Sequence, residues 1–104
     1  MKKVSLIVPC YNEQDSLPLF YNALTETMNG LNNYEFEVLF VDDGSKDNTL
    51  PILMDISNRD SRIKYYSFSR NFGKEAAMYA GFCNAKGDYV AVMDADMQDP
   101  PSLL

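Results

Sequence analysis

Histidine is absent from this 104-residue chain, and only two cysteines occur. Without an imidazole there is no His general base, no His zinc ligand and no Ser-His-Asp triad. Cys10 and Cys83 lie far apart, and neither belongs to a Cys-x-x-Cys. A disulfide framework is therefore excluded, and both are expected to be buried, reduced thiols in a cytoplasmic protein. Cations are the minority charge, with 9 Lys and Arg against 15 Asp and Glu and a net charge of −6. Such a chain lacks the basic footprint of a nucleic-acid binder, and an anionic membrane surface repels it on average. The apolar runs fall far short of the ~18–20 residues that span a bilayer. There is no Gly-x-Gly-x-x-Gly after the first apolar run and no P-loop, which disfavours NAD binding and P-loop ATP hydrolysis. Met1-Lys2-Lys3 followed by VSLIVPCY has the outline of a secretory start. Pro9 breaks that run and Asn12-Glu13 follows without a small-residue cleavage site, so a buried first strand explains it better.

The composition, 46% hydrophobic and 23% charged, is that of one small folded domain. Apolar clusters recur at residues 4–8, 36–41 (FEVLFV), 63–68 (IKYYSF) and 89–93 (YVAVM). Continuous runs with little alternation predict strands covered on both faces, as in a parallel sheet. Between them lie three helical patterns. Residues 15–29 place Leu17, Phe20, Tyr21, Leu24 and Met28 on one face, with Ser16 as cap, Pro18 in the first turn and Gly30 at the end. Residues 48–58 are entered through Asp47 or Asn48, with Pro51 early, and turn Leu50, Leu53 and Met54 inward with Ser57 at the margin of that face. Residues 74–85 are alanine-rich, with Gly87 as the stop. The order β-α-β-α-β-α-β with right-handed crossovers predicts an α/β fold, a doubly wound parallel sheet of about four strands with helices on both faces.

Ligands of open parallel sheets bind outside the carboxyl ends of the strands. Those ends carry Pro9-Cys10-Tyr11-Asn12-Glu13, Asp42-Asp43-Gly44-Ser45, Ser69-Arg70-Asn71-Phe72-Gly73-Lys74 and Asp94-Ala95-Asp96-Met97-Gln98-Asp99. In an extended segment Asp94 and Asp96 point the same way and repel unless a cation lies between them. With Gln98 they form a hard oxygen set suited to Mg²⁺ or Mn²⁺. An EF-hand is excluded, because Asp99 stands where glycine is required. Gly44 permits positive φ, and the two aspartates beside it can accept from base N–H or ribose hydroxyl groups. Arg70 and Lys74 bracket a glycine at a helix start, where cations and exposed amides suit a diphosphate. Tyr11 can stack on a base or pack on a loop. Each feature alone also fits an ordinary polar turn. Four on one edge make a nucleoside-diphosphate site.

At this point the blocks VSLIVPCYNE, VLFVDDGSKDNT, SRNFGKEAAMYAGF and GDYVAVMDADMQDPP resemble, in order and spacing, the inverting family-two glycosyltransferases of GT-A fold. The match spans essentially the whole chain. Its SRNFGKEAA and DADMQDPP blocks are most similar to the dolichol-phosphate mannose synthase-like and bacterial polyprenyl-phosphate glycosyltransferases. The resemblance implies that residues 1–104 are the Rossmann-like nucleotide-sugar-binding part, ending before the acceptor half. It implies inverting, metal-dependent transfer of a sugar from a UDP- or GDP-sugar to a polyprenyl phosphate or a saccharide. Pro9, Tyr11, Asn12 and Glu13 would line the nucleoside pocket, and Asp42 would meet the base with Asp43 nearby. Arg70 and Lys74 would face base and diphosphate. Asp94 would reach ribose or metal, and Asp96 and Gln98 would hold Mg²⁺ or Mn²⁺. The family's catalytic base falls beyond Leu104, so none is assigned, and the piece alone is expected to be inactive. The full protein is expected at the cytoplasmic face of a membrane. The alternative is a non-catalytic domain of the same fold serving regulation or partner binding. A phospho-acceptor receiver is disfavoured, because Pro9-Cys10-Tyr11 and Ser69-Arg70 stand where its aspartates belong. The double proline at 100–101 also reads as the start of a further segment, and an uncovered sheet edge is expected to favour self-association.

Overall fold

The structure, a computed structural model, describes residues 1–95. Four parallel strands, β1 (Lys2–Cys10), β2 (Tyr34–Asp42), β3 (Ile63–Ser67) and β4 (Tyr89–Val92), lie in the order β3-β2-β1-β4. They alternate with α1 (Leu17–Gly30), α2 (Thr49–Arg59) and α3 (Lys74–Asn84). The chain steps β1 to β2 to β3 in one direction, then returns to place β4 on the other side of β1. With crossovers of constant hand, that reversal moves the connecting helix to the opposite face. Side-chain packing agrees. Leu6, Val8, Val38 and Phe40 meet Leu17, Phe20 and Leu24 of α1 and Leu53 and Ile56 of α2 in one cluster. On the other face Ile7 packs against Gly81 of α3. The α/β sheet with helices on both faces is thus the architecture observed.

The two central strands explain their own placement. Leu6, Ile7 and Val8 of β1 and Val38 to Val41 of β2 are fully buried, because both sheet faces are covered. Each such side chain contributes on the order of 1.5–3 kcal/mol. Phe20 meets Phe40 edge to face, with centroids 6.2 Å apart and an interplanar angle of 84°. α3 approaches the sheet differently, through the small residues Ala77 and Gly81. A Cβ on Gly81 would stand 2.4 Å from Ile7 Cγ2, so an alanine there forces helix and strand apart. This narrow contact line leaves Tyr79, Phe82 and Cys83 facing outward. The expectation of two buried thiols therefore holds for Cys10 only; Cys83 is exposed because it lies about 200° round the helix from Gly81.

Helix ends also depart from expectation. Ser16 stands at the N-cap of α1 but makes no capping bond; its hydroxyl donates to Glu13 Oε2 at 2.8 Å. Gly30 is the last helical residue, not a left-handed terminator. α3 stops at Asn84, and Gly87 serves another purpose: its N–H donates to Ser5 Oγ at 2.8 Å, tying the α3–β4 turn to β1. Among the described residues no helix is long and apolar enough to cross a membrane.

The amino ends of the strands hold a buried polar centre that sequence patterning had passed over. Glu37, 2% exposed, accepts from Ser5 Oγ at 2.5 Å and from the Lys86 N–H at 2.7 Å. Lys64 Nζ and Lys3 Nζ lie 3.3 and 3.9 Å from its other oxygen. Burial raises the carboxyl's pKa, but the Ser5, Lys86 and Lys64 hydrogen bonds outweigh it and hold it below the ordinary value. A cleft of about 500 Å³ at this edge is lined by Lys3, Phe36, Glu37, Arg62 and Lys64. Its cations are already engaged with Glu37 and Asp60.

Candidate functional site

The strand order creates a crevice where β1 is flanked by β2 on one side and β4 on the other, since α1 and α2 pack on one face of the sheet and α3, which leads into β4, on the other. Four loops meet at this carboxyl edge, and hydrogen bonds between residues far apart in sequence lock three of them together. Asn12, at φ 53, donates its N–H to Ser45 Oγ at 2.8 Å, and its side-chain oxygen accepts from the Lys46 N–H at 2.9 Å. Asparagine is among the few side chains that tolerate this left-handed conformation. The Glu13 N–H donates to Thr49 Oγ1 at 2.8 Å, and the Gln14 N–H to Asp47 Oδ2 at 3.2 Å. Burial raises the Asp47 pKa, but the Thr49 hydroxyl and amide and the Gln14 amide outweigh it, and the net shift is downward.

The second loop grips the third. Gly44, at φ 73, backs so closely on Arg70 that a Cβ would stand 2.3 Å from its carbonyl carbon. Asp43 accepts from the Phe72 N–H at 2.8 Å and the Gly73 N–H at 3.0 Å. Two of the amides that the sequence offered to a diphosphate are therefore taken up by Asp43, because the carboxylate caps the entry to α3. The guanidinium of Arg70 lies over the Phe72 ring, 4.7 Å from its centroid.

Two clefts open between the loops, with Tyr11, 42% exposed, on the wall of both. The larger, about 530 Å³, is lined by Asp42, Gly44, Ser45, Ser67, Arg70 and Asn71 among others. Asp42 is 1% exposed; its Oδ1 accepts from the Ser45 N–H at 3.1 Å, and its Oδ2 has Ser67 Oγ at 3.5 Å. The smaller cleft, about 180 Å³, is lined by Pro9, Cys10, Tyr11, Glu13, Asp43, Lys74 and Asp94. Here Lys74 Nζ lies 2.6 Å from Asp94 Oδ1. Burial pushes the Cys10 thiol far up, with Glu13 and Asp42 adding to the effect, so it stays protonated and is no nucleophile.

Of the residues singled out in the sequence, Pro9, Tyr11, Glu13, Asp43, Lys74 and Asp94 meet in one cleft, and Asp42 and Arg70 with Tyr11 in the other. Asn12 is occupied in tying loops together. Asp96 and Gln98 lie outside the described residues, and among those described no three His, Cys, Asp or Glu side chains converge on one point. Asp94 nonetheless fits a cation: it is a hard oxygen donor lining the crevice, and an ammonium already sits against it. The loop-tying roles of Ser45, Asp47 and Thr49 were missed. Their signal is a cluster of small polar residues beside a glycine turn, which local reading assigns to helix entry.

A family model described as Glycosyl transferase family 2 matches residues 5–104. The chain is 44% identical over 98 residues to the prophage bactoprenol glucosyl transferase homolog of Escherichia coli (strain K12), covering 94% of this chain and 32% of that one. Among solved structures it is similar to TarS 1-349 of S. aureus in complex with UDP, with TM-score 0.76 and 30% identity over 90% of this chain and 27% of that one. It is also similar to the mannosyltransferase PcManGT from Pyrobaculum calidifontis in complex with GDP-Man and Mn²⁺, with TM-score 0.79 and 25% identity over 91% of this chain and 28% of that one. The chain thus spans about a third of the length of the curated relatives it matches.

Proposed function

The chain belongs to glycosyl transferase family 2, and from that premise we propose that residues 1–104 are the donor-binding part of a glycosyltransferase using a nucleoside-diphosphate sugar. The observation that carries this reading is the convergence of Tyr11, Glu13, Lys74 and Asp94 in a cleft at the point where the strand order reverses. In this reading the larger cleft takes the nucleoside. Asp42 accepts from the base, Arg70 lies alongside, and Tyr11 borders the base on one side and the diphosphate on the other. Pro9 and Glu13 close the wall toward β1. Lys74 faces the diphosphate, where an ammonium offsets charge building on the leaving group. Asp94, with Asp96 and Gln98, would hold Mg²⁺ or Mn²⁺, which supplies further neutralisation of that charge.

The reaction is transfer with inversion at the sugar's anomeric carbon. The acceptor is a polyprenyl phosphate, a reading supported by the name of the bactoprenol relative. An ionised phosphate is its own nucleophile, so the donor part has no base to supply. The acceptor half and the membrane-facing surface belong to the rest of the protein, at the cytoplasmic face of a membrane. Exposed Tyr89, Val90 and Val92 on β4, an edge strand among the described residues, support the expected self-association of this piece.

Thermal unfolding with UDP and GDP, each with and without Mn²⁺, tests the reading. A ligand at 100 times its dissociation constant adds about 2.7 kcal/mol and raises the midpoint. The expected result is a Mn²⁺-dependent rise with one nucleotide, abolished in Asp96→Ala. A cooperative transition moved by neither nucleotide favours the non-catalytic domain instead.

A further inference from the structure

β4 is held only thinly by its own side chains. It pairs with β1 over four residues, and Tyr89, Val90 and Val92 stay exposed. Its inward anchors are Ala91 and, just beyond the strand, Met93 and Ala95. That alternation opposes a slip of one residue, which would turn Met93 outward. A slip of two keeps every side chain on its face, yet it moves Asp94 by roughly 7 Å. The α3–β4 turn distinguishes the two. Three successive amides there meet three different acceptors: the Lys86 N–H donates to Glu37 Oε2 at 2.7 Å, the Gly87 N–H to Ser5 Oγ at 2.8 Å and the Asp88 N–H to the Lys3 carbonyl at 2.7 Å. The Lys3 N–H donates back to Asp88 Oδ2 at 2.9 Å. Ser5 donates its one proton to Glu37, so its oxygen is left to accept from Gly87. A Cβ on Gly87 would stand 2.6 Å from Ser5 Oγ and 2.7 Å from the Ser5 nitrogen, so this turn fits β1 at one position. Neither Ser5 nor Glu37 lines either cleft of the crevice.

We propose that Ser5 and Glu37 are positioning residues that lock the register of β4 and so set, from the far end of the sheet, where Asp94 stands in the crevice. Its consequence for binding rests on the donor-binding reading above. Glu37 belongs to β2, so the turn is referenced to two strands at once, and its carboxylate makes the bond to Lys86 a charge-assisted one. The larger cleft is built from the segments that follow β1, β2 and β3. It survives loss of the lock, whereas the wall that follows β4 does not keep its place.

The test compares the full chain as wild type, Ser5→Ala and Glu37→Gln. Asp60→Asn is the control, since it weakens bonds to Tyr21 and Arg62 beside β3, across the sheet from β4. Cross-strand NMR contacts from Val4 to Tyr89 and from Ile7 to Val92 read the register. Amide exchange in β4 is followed against β2 and β3, and binding of UDP, GDP, uridine and guanosine is measured with Mn²⁺. In Ser5→Ala and Glu37→Gln the register contacts are expected to weaken and β4 amides to exchange roughly tenfold faster or more, with β2 and β3 still protected. Diphosphate affinity should fall about tenfold and nucleoside affinity stay within about twofold. Asp60→Asn should show neither split. Wild-type register contacts and β4 exchange in both variants would overturn the proposal. So would equal losses for nucleoside and diphosphate, or the same split in Asp60→Asn, because each marks a general loss of stability. A wild-type protein that binds none of the four probes overturns the donor-binding reading, and the register contacts and exchange then decide the lock by themselves.

Discussion

Removing the Glu37 carboxylate should be among the most damaging single changes away from the crevice. Glu37→Ala strands the buried Ser5 Oγ donor and the part-buried Lys86 N–H. Each costs about 1–3 kcal/mol when left unpaired. Lys3 and Lys64 reach water, with side chains 31% and 45% exposed, so their share is below about 1 kcal/mol. The sum is about 2–7 kcal/mol, the lower half of that range applying because the Lys86 N–H is part-buried, and the midpoint should fall by roughly 10 °C or more for a domain of this size. Glu37→Gln keeps an acceptor and the shape, and should lose about 1–2 kcal/mol at pH 7. Urea unfolding at several pH values separates charge from shape. The folded-state pKa is lowered from 4.5, so the charge contributes fully above that value and is lost as pH falls through the folded pKa. The gap between wild type and Glu37→Gln should therefore close in acid. A gap that stays constant from neutral pH to pH 3, or an alanine variant within about 1 kcal/mol of wild type, would refute the reasoning.

Two further outcomes follow from the geometry. Gly44→Ala should cost more than about 2 kcal/mol and loosen the β3–α3 loop, because a Cβ meets the Arg70 backbone and φ is 73°; a midpoint unchanged in thermal unfolding would contradict this. Asp60, held by Arg62 and Tyr21, has its carboxyl lowered to about 2, chiefly by the Arg62 hydrogen bond. Its contribution should persist above pH 3.8 and disappear as pH falls toward 2, so acid titration of Asp60→Asn should show a flatter stability curve than wild type over that window.

The strands and helices were legible because their signals are local. FEVLFV reads as a two-sided buried strand whatever lies around it, and Leu17, Phe20, Leu24 and Met28 mark their helix face by spacing alone. What escaped was long-range. The clasp from Asn12 to Ser45 and Lys46 spans 33 and 34 residues, and no window of local pattern contains both ends. Glu37 was masked by its apolar neighbours. Yet Ser5 and Glu37 are register partners in adjacent strands, so one polar residue in each of two buried runs was a usable signal. The amides at the start of α3 misled for a related reason: a helix entry looks open to an anion until the residue that fills it arrives from another loop. Cys83 misled because residue type speaks for burial on average, while the narrow Ala77–Gly81 contact line decides it here.

Strand order also governs when the crevice comes into being. β1 can pair with β2 as soon as residue 42 is available, but β4 joins β1 across 85 residues, from Val4 to Tyr89. Closing the longer loop adds only about 1 kcal/mol to the equilibrium cost, yet long-range pairing slows the search far more. Among the described residues β4 is also the shortest strand, four residues long, and bonded along one side only. The wall bearing Asp94 therefore follows the strand with the longest-range pairing among those described. A ligand spanning Tyr11 and Asp94 would act as the cross-brace that holds β4 against β1, so occupancy of the crevice and docking of β4 are one equilibrium seen from two sides.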